Sequence, residues 1–231
     1  MQSIAGMATG TKKRAFDISA VLHRIRKEVA QYADAAMFEL RDREFGSLFQ
    51  QLVACIISIR TYDEVSLPAA LRLFEVAPGP EEISRLDASE IDALIHPATF
   101  HTGKARQIHD IAVRTIEEFD GRLPADAEVL KSFRGVGPKC ANLALGVAEG
   151  QSRISVDVHV ARVTTRWGYV KAGSAESVQA QLEEKLPKKY WIEINRLLVP
   201  FGKNVCTGVR PKCSTCPVLE YCRQVGVTDH R

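Results

Sequence analysis

Four cysteines near the C-terminus constrain the fold of this chain more than any other feature of its sequence. They follow the spacing C-x6-C-x2-C-x5-C at Cys206, Cys213, Cys216 and Cys222. A loop this short can wrap four thiolates around one metal centre. Structural zinc sites usually contain two close cysteine pairs, whereas this segment contains one. The spacing alone therefore leaves zinc and an iron–sulfur cluster equally open.

The composition is that of a globular protein of 231 residues, with a net charge of only +3. Residues 1–17 lack the apolar core of a secretion signal, and the longest apolar run, residues 52–57, is too short to cross a membrane. We therefore expect an intracellular location, cytoplasmic and nucleoid-associated in a bacterium, where thiols stay reduced. Because the net charge is small, any nucleic-acid site must be a local patch.

The hydrophobic pattern predicts helices over most of the chain. Asp17 and Ser174 each precede apolar residues at helical spacing and are placed to cap a helix. The same spacing recurs over residues 104–119 and roughly 190–199. Residues 48–59 are apolar on nearly all sides, which is typical of a buried central helix.

Two features complicate this pattern. Asp63 is a candidate cap for the next helix, in which Pro68 must produce a kink or mark the start. Residues 154–160 alternate between apolar and polar positions, as a strand does. Because one short strand has no partner to pair with, we predict an all-α fold.

Two glycines interrupt the helical pattern within residues 130–145, where the chain reads LKSFRGVGPKCANLAL. Gly135 and Gly137 flank Val136, and Pro138 suits the first position of the following helix. The N–H groups of such a turn and of the helix N-terminus can bind a DNA phosphate. Taken alone, however, a G-x-G turn is more often an ordinary helical hairpin.

Together these motifs resemble the endonuclease III family of helix–hairpin–helix DNA glycosylases. The cysteine spacing is similar to that of the family's [4Fe–4S] cluster loop. Residues 130–145 are similar to the family's L-P-G-V-G-x-K hairpin, with Phe133 and Arg134 in place of Leu and Pro. Residues 155–163 are similar to its V-D-T-H-V-x-R-V segment, with Val158 in place of Thr. The three motifs have the family's order and spacing, and the resemblance covers nearly all of the chain.

The resemblance implies a catalytic pair and a cofactor. Lys139 matches the family's Schiff-base lysine, which attacks a sugar carbon when neutral; a helix N-terminus and partial burial are expected to disfavour its charged form. Asp157 matches the carboxylate that stabilises a cationic sugar, and it is also placed to cap a helix. The four C-terminal cysteines would bind a [4Fe–4S] cluster. Cys55 is interpreted as a core residue, and Cys140 is assigned no chemistry.

The resemblance also implies contacts to DNA. Arg60 stands where the family has a glutamine that fills the gap left by an extruded base, and Phe100 and His101 occupy the loop of a second inserting residue. Arginine stacks on bases and donates to guanine but accepts no hydrogen bond, so it suits adenine less well. An ion pair between Arg60 and Asp63 is an alternative of equal weight.

Further contacts to DNA phosphates are predicted at the hairpin and near the cysteines: Gly135, Val136, Gly137, Lys203, Arg210 and Lys212. The three basic side chains fit ordinary solvated surface charges equally well.

The implied fold consists of two helical domains with a catalytic cleft between them. Residues 45–151 would form a six-helix barrel that contains the helix–hairpin–helix motif at about 127–148. Residues 17–44 and 152–231 would form the second helical domain with the cluster loop. Residues 1–16 would be a flexible N-terminal extension.

The resemblance implies a bifunctional DNA glycosylase and AP lyase of base excision repair, which excises oxidised pyrimidines such as thymine glycol from duplex DNA and cleaves the abasic strand by β-elimination. We expect a monomer whose partner is duplex DNA with damaged pyrimidines or abasic sites. The alternatives are a mismatch-type glycosylase of the same superfamily, disfavoured by Lys139, and a damage-binding protein with weak catalysis, disfavoured by the presence of both Lys139 and Asp157. A zinc-bound transcription factor is disfavoured because we recognise no recognition-helix module.

Overall fold

The computed structural model describes residues 13–231, and its regular secondary structure in this range is helical. Twelve α-helices occur in this range: α1 Ile18–Val29, α2 Ala36–Asp42, α3 Leu48–Ser58, α4 Asp63–Val76, α5 Pro80–Arg85, α6 Ala88–Ile95, α7 His101–Phe119, α8 Ala127–Ser132, α9 Pro138–Glu149, α10 Val158–Trp167, α11 Ala175–Lys185 and α12 Glu193–Asn204. No β-strand is found in the described range, so the predicted all-α fold is confirmed. Most of the predicted N-terminal extension lies outside the described residues.

The strand-like alternation at 154–160 belongs to an extended segment that leads into a helix. Ile154 and Val156 are buried, with 0% and 5% of their surface exposed. Asp157 then ends the extended backbone and caps α10. The alternation therefore reflects a segment with one face against the protein, and no neighbouring strand in residues 13–231 pairs with it.

The first hydrophobic core forms around α3 and involves residues 35–147 together with Val199. As predicted, α3 is buried on nearly all sides, and Leu52, Val53 and Ile56 are fully buried. Ser47 begins this helix with a capping box: its Oγ accepts from the Gln50 backbone N–H, and the Gln50 side chain accepts from the Ser47 backbone N–H. The helices α2, α4, α7 and α9 pack around α3.

The start of α4 differs from the prediction. Tyr62 is the N-cap residue and makes no side-chain cap bond, and Asp63 occupies the first helical position. The predicted capping role of Asp63 is wrong because its carboxylate turns to the ammonium group of Lys203, 3.2 Å away. Pro68 lies inside α4 rather than at its start.

The second hydrophobic core combines α1, α10, α11 and α12 with the C-terminal segment. Trp167 is its largest fully buried side chain. Asp17 caps α1 and Ser174 caps α11, as predicted. Residues 13–16 lie against the C-terminal segment, where the Arg14 backbone N–H donates to the Glu220 carbonyl oxygen at 2.8 Å.

The first core draws on residues 35–147 and Val199. The second core draws on residues 21–29 and 154–221. Buried side chains of α2 belong to the first core, whereas our predicted limits group α2 with the chain ends. The domain boundaries themselves stay a prediction. Among residues 13–231, no helix combines the length and apolar character that crossing a membrane requires.

Two helices differ in extent from the predicted ranges. Predicted from residue 104, α7 starts at His101. The last long helix, predicted over 190–199, runs from Glu193 to Asn204, because a short 3₁₀ turn occupies Lys188–Tyr190. In this arrangement α12 extends far enough to place Lys203 at the site described next.

Candidate active site

A pocket of about 560 Å³ is lined by residues that are far apart in the sequence, between Ser58 and Lys203. Its walls come from the end of α3, the first residues of α4, α9 and α10, and the last turns of α12. Lys139 and Asp157, the predicted catalytic pair, both line it, and so does Arg60. Among the other predicted contacts, Lys203 lines the pocket, whereas Phe100, His101, Arg210, Lys212 and the hairpin residues are not part of its lining.

Lys139 reaches the pocket because a tight hairpin positions the start of α9. Gly135 has a φ of +80°, in the left-handed region that favours glycine. A Cβ at this position would also meet the end of the Gln107 side chain, which would have to move away. Gly137 is the N-cap of α9, and Pro138 occupies its first turn as predicted. Lys139 is consequently held in the first turn of α9.

The charge state of Lys139 differs from the prediction. Burial lowers the pKa of its amine and is the largest single influence. The opposing influence of Cys55, Asp157, Cys140 and Asp63 is greater in sum, so the pKa is raised above its ordinary value. Burial therefore disfavours the charged amine, as predicted, but two neighbouring thiols and two carboxylates together outweigh burial in the ligand-free protein.

The position of Asp157 fits both roles considered for it, helix capping and stabilisation of a cationic sugar. Its Oδ1 accepts from the backbone N–H groups of His159 at 3.0 Å and Val160 at 2.7 Å, so it caps α10. Both cap bonds use Oδ1, and Oδ2 receives no hydrogen bond from the described residues. Capping fixes the carboxylate at the pocket wall and leaves one oxygen for other chemistry.

Two polar side chains fasten the segment before Asp157 to α9. Asn142 Nδ2 donates to the Ile154 carbonyl oxygen at 3.0 Å, and Ser155 Oγ donates to the Lys139 carbonyl oxygen at 3.1 Å. Asn142 and Ser155 are both buried. These two bonds, each from a side chain to a backbone carbonyl oxygen, set the position of the segment before Asp157 relative to Lys139.

Arg60 follows the end of α3 in a left-handed conformation with φ of 53°. Its guanidinium lies 6.0 Å from the ring centre of Phe100, which also has a positive φ of 58° and is 63% exposed. The alternative ion pair between Arg60 and Asp63 does not form, because Asp63 binds Lys203 instead. Arg60 and Phe100 thus form one exposed unit at the edge of the pocket.

Lys104 holds that unit in place, and sequence reasoning missed it. Its ammonium group donates to the carbonyl oxygens of Ile57 and Ile59, each at 2.7 Å, and to Thr61 Oγ1 at 3.1 Å. Thr61 Oγ1 also accepts from the backbone N–H of Thr99. Burial lowers the pKa of Lys104 to about 8, so it is still mainly charged at neutral pH. Its only sequence signal is a lysine among apolar helix positions.

His101, a predicted DNA contact, is absent from the pocket lining, whereas Tyr62, for which no role was predicted, is part of it. His101 is bonded to Asp92, with Nδ1 2.6 Å from Oδ1, and it does not line the pocket. Tyr62 lines the pocket and is 80% exposed, the second most exposed of the large hydrophobic residues. An aromatic side chain that projects at a pocket mouth is available to stack on a planar ligand.

The basic residues predicted to contact DNA are partly engaged by the protein itself. Lys203 binds Asp63 at 3.2 Å and Glu64 at 2.8 Å, so its charge faces two carboxylates across the pocket. Arg210 pairs with Asp229 at 2.9 Å, with both side chains exposed. Lys212 is half-buried beside the C-terminal cysteines.

The four C-terminal cysteines line a single small cavity. Burial raises the pKa of Cys216 to about 12, and that of Cys222 is also raised, first by burial and further by neighbouring thiols. Ionising four such buried thiols at one place requires a positively charged group to compensate them. Within the described residues, no three His, Cys, Asp or Glu side chains are arranged to hold one metal ion directly. A donor set of four thiols around a shared space fits a cluster of several iron atoms.

Two arginines of α10 connect the cysteine loop to the pocket. Arg166 donates to the carbonyl oxygens of Thr207 at 2.6 Å and Gly208 at 2.8 Å. Arg162 donates to the carbonyl oxygen of Gly202 at 2.9 Å and to Nδ1 of His159 at 3.0 Å. The ring of His159 therefore accepts a hydrogen bond from Arg162.

Known proteins are similar to this chain in both sequence and fold. The family model of HhH-GPD superfamily base excision DNA repair proteins matches residues 53–188. Endonuclease III of Thermotoga maritima is 33% identical over 174 residues, which cover 75% of this chain and 82% of that protein. The chloroplastic endonuclease III homolog 2 of Arabidopsis thaliana is 39% identical over 183 residues, which cover 75% of this chain and 47% of that protein. The chain thus spans about half the length of this plant relative.

Among solved structures, an endonuclease III in a non-covalent complex with DNA superposes with a TM-score of 0.78 at 27% identity, over 90% of this chain and 94% of that one. On the strength of the matched residues, the identity and the shared fold, the chain belongs to the endonuclease III family within the HhH-GPD superfamily of base excision DNA repair proteins.

Proposed function

We propose that this protein is a bifunctional DNA glycosylase and AP lyase that excises oxidised pyrimidines, such as thymine glycol, from duplex DNA and cleaves the abasic strand by β-elimination. The observation that carries the proposal is the shared pocket of Lys139 and Asp157. An amine and a carboxylate in one pocket are the two groups that covalent attack on a sugar carbon requires. The family membership supports the same assignment.

The reaction begins when the damaged nucleotide leaves the base stack and enters the pocket. The neutral amine of Lys139 attacks C1′ of the sugar while the bond from C1′ to the base breaks and the base leaves with the electron pair. Asp157 stabilises the positive charge that develops on the sugar. The attacking nitrogen loses a proton to the pocket carboxylate or to water, the sugar ring opens, and a protonated imine forms.

Strand cleavage follows from the imine. Loss of a proton from C2′ shifts electrons toward the imine and breaks the bond between C3′ and the 3′ phosphate oxygen. Because the imine still links Lys139 to the sugar at this stage, reduction with borohydride traps the protein on the DNA. Trapping thus tests the substrate, the nucleophile and the mechanism together.

The experiment uses duplex oligonucleotides that carry one thymine glycol, one abasic site or one T·G mismatch. We expect borohydride-dependent adducts with thymine glycol and with the abasic site, and no adduct with Lys139→Ala, which should still bind the DNA. Base release from the mismatch without strand cleavage would point instead to a mismatch-type glycosylase. Binding without any turnover would identify a damage-binding protein.

The four C-terminal cysteines are proposed to hold a [4Fe–4S] cluster, whose chemistry at this site is to fix the loop through four iron–thiolate bonds. The all-thiol cavity supports this proposal. Purified protein should contain iron and acid-labile sulfide, and stoichiometric zinc without sulfide would contradict it. Cys213→Ser should unfold the C-terminal segment more than it slows the chemical step, because metal binding and local folding are linked.

Duplex DNA is the proposed partner, and Arg60 with Phe100 is the proposed unit that fills the gap left by the extruded base. Both side chains are exposed at the pocket edge, where an opened duplex would lie. We further propose that the protein acts as a monomer inside the cell, since Lys139 and Asp157 belong to one chain and one pocket.

A further inference from the structure

Two buried cysteines outside the C-terminal group lie in direct contact. Sγ of Cys55 and Sγ of Cys140 are 2.7 Å apart, although 85 positions separate them in the sequence. Cys55 is 0% exposed and Cys140 is 4% exposed. The first lies in α3 and the second in α9, two helices that pack against each other. The pair therefore joins the helix that precedes Arg60 to the helix that carries Lys139.

The two thiols have different surroundings. The pKa of Cys140 is lowered, first by the hydrogen bond from Cys55 and further by the positive charges of Lys139 and Lys104. The pKa of Cys55 is raised well above its ordinary value, first by its bond to Cys140 and then by burial. Cys140 is thus the better nucleophile, and Cys55 lies beside it as a thiol able to attack an oxidised sulfur.

We propose that Cys55 and Cys140 form a modification site at which a peroxide converts the two thiols to a disulfide. The thiolate sulfur of Cys140 attacks one oxygen of hydrogen peroxide, the oxygen–oxygen bond breaks, and water leaves after protonation, which yields a sulfenic acid. The sulfur of Cys55 then attacks the Cys140 sulfur, the sulfur–oxygen bond breaks, and a second water leaves with the Cys55 proton. Two thiols and one peroxide give one disulfide and two waters.

The helices need little movement for this reaction, because the sulfurs are already in contact. The consequence concerns Lys139, which directly precedes Cys140. Without a partner thiol, the sulfenic acid of Cys140 would proceed to sulfinic acid, which no thiol reductant reverses. That product would place a permanent negative charge in the core beside the proposed nucleophile. The disulfide prevents this outcome and can be reduced again.

Peptide mapping tests the proposal without relying on enzymatic activity. The intact, cluster-containing protein is treated with hydrogen peroxide, free thiols are alkylated, and a digest made without reductant is analysed by mass spectrometry. We expect a linked peptide pair that contains Cys55 and Cys140 and is lighter than its parts by two hydrogen atoms. Treatment with dithiothreitol should restore both thiols.

Two variants provide the matched comparison. In Cys55→Ala, Cys140 should accumulate sulfinic acid under the same treatment, whereas in Cys140→Ala the more deeply buried Cys55 should stay reduced. After peroxide and then dithiothreitol, wild-type protein should recover more AP-site cleavage than Cys55→Ala at equal iron content. The proposal is overturned if Cys140 of the wild-type protein becomes sulfinic acid as readily as in Cys55→Ala. It is equally overturned if disulfides form only among the C-terminal cysteines.

Discussion

At the scale of single residues, the charge of Asp157 contributes to the proton affinity of Lys139. The carboxylate is among the groups that raise the lysine pKa above its ordinary value. Only the neutral amine can attack, so the rate of covalent trapping should rise with pH until the folded-state pKa is reached. The slope should be about tenfold per pH unit if amine deprotonation limits the reaction.

Removing this charge gives a prediction with two parts. Asp157→Asn should lower the trapping rate roughly a hundredfold, because it removes the carboxylate that stabilises the cationic sugar. The rising limb of its pH profile should also move to lower pH, because the lysine loses a favourable negative neighbour. Trapping rates measured across a pH series test both parts. An unshifted profile would show that Asp157 does not control the lysine.

Arg60 should influence which base is preferred opposite the lesion. Arg60→Gln replaces a donor-only side chain with one that both donates and accepts, so we expect activity opposite adenine to increase relative to guanine by roughly five- to tenfold. The comparison uses paired duplexes that differ only in the opposite base. Arg43→Gln, which removes an exposed arginine at the C-terminal cap of α2, serves as the control. Equal changes in both duplexes would assign Arg60 to general surface chemistry.

Tyr62 should act on the base rather than on the sugar. If its exposed ring stacks on the extruded base, Tyr62→Ala should slow excision of thymine glycol about tenfold, while cleavage of a preformed abasic site, which has no base, stays unchanged. Tyr62→Phe keeps the ring and should retain excision. Equal losses on both substrates would mean that Tyr62 contacts the backbone or supports the fold.

At the scale of secondary structure, Lys104 joins the end of α3 to the start of α7. Its three donors occupy three acceptors near the pocket. Lys104→Met would leave these acceptors without their donor and should reduce the free energy of unfolding by about 2–4 kcal/mol. Chemical denaturation measures the loss, and Lys131→Met, at an exposed pair with Glu128, is the control. A loss no larger than that of the control would contradict the role of Lys104.

Local elements of the site could be predicted from the sequence, and long-range contacts could not. The cap at Asp157 and the position of Lys139 in the first turn of α9 depend on neighbouring residues, and short patterns encode such relations. Asp63 was misassigned because its partner Lys203 lies 140 positions away. Lys104 was missed for the same reason, since its acceptors lie 43 to 47 positions earlier. The charge of Lys139 depends on such distant neighbours as well.

At the scale of the whole molecule, the cysteine loop and the pocket are connected through α10. Arg166 holds the loop by donating hydrogen bonds to two backbone carbonyl oxygens of the loop. Arg166→Gln should release iron to a chelator several-fold faster, because two charge-assisted bonds to the loop are lost. Arg72→Gln is the matched control, since Arg72 also donates to backbone carbonyl oxygens, but in the first core. Identical release rates in the two variants would show that Arg166 does not restrain the loop.

The position of Asp157 at one end of α10, with Arg162 and Arg166 further along it, has a mechanical consequence. A helix is stiff along its axis, so an angular displacement of the arginine end is transmitted to the carboxylate end. A displacement of the cysteine loop would therefore change the orientation of the Asp157 carboxylate in the pocket. Damage to the cysteine loop would therefore misalign the Asp157 carboxylate with the sugar, even though no residue of the loop takes part in bond breaking.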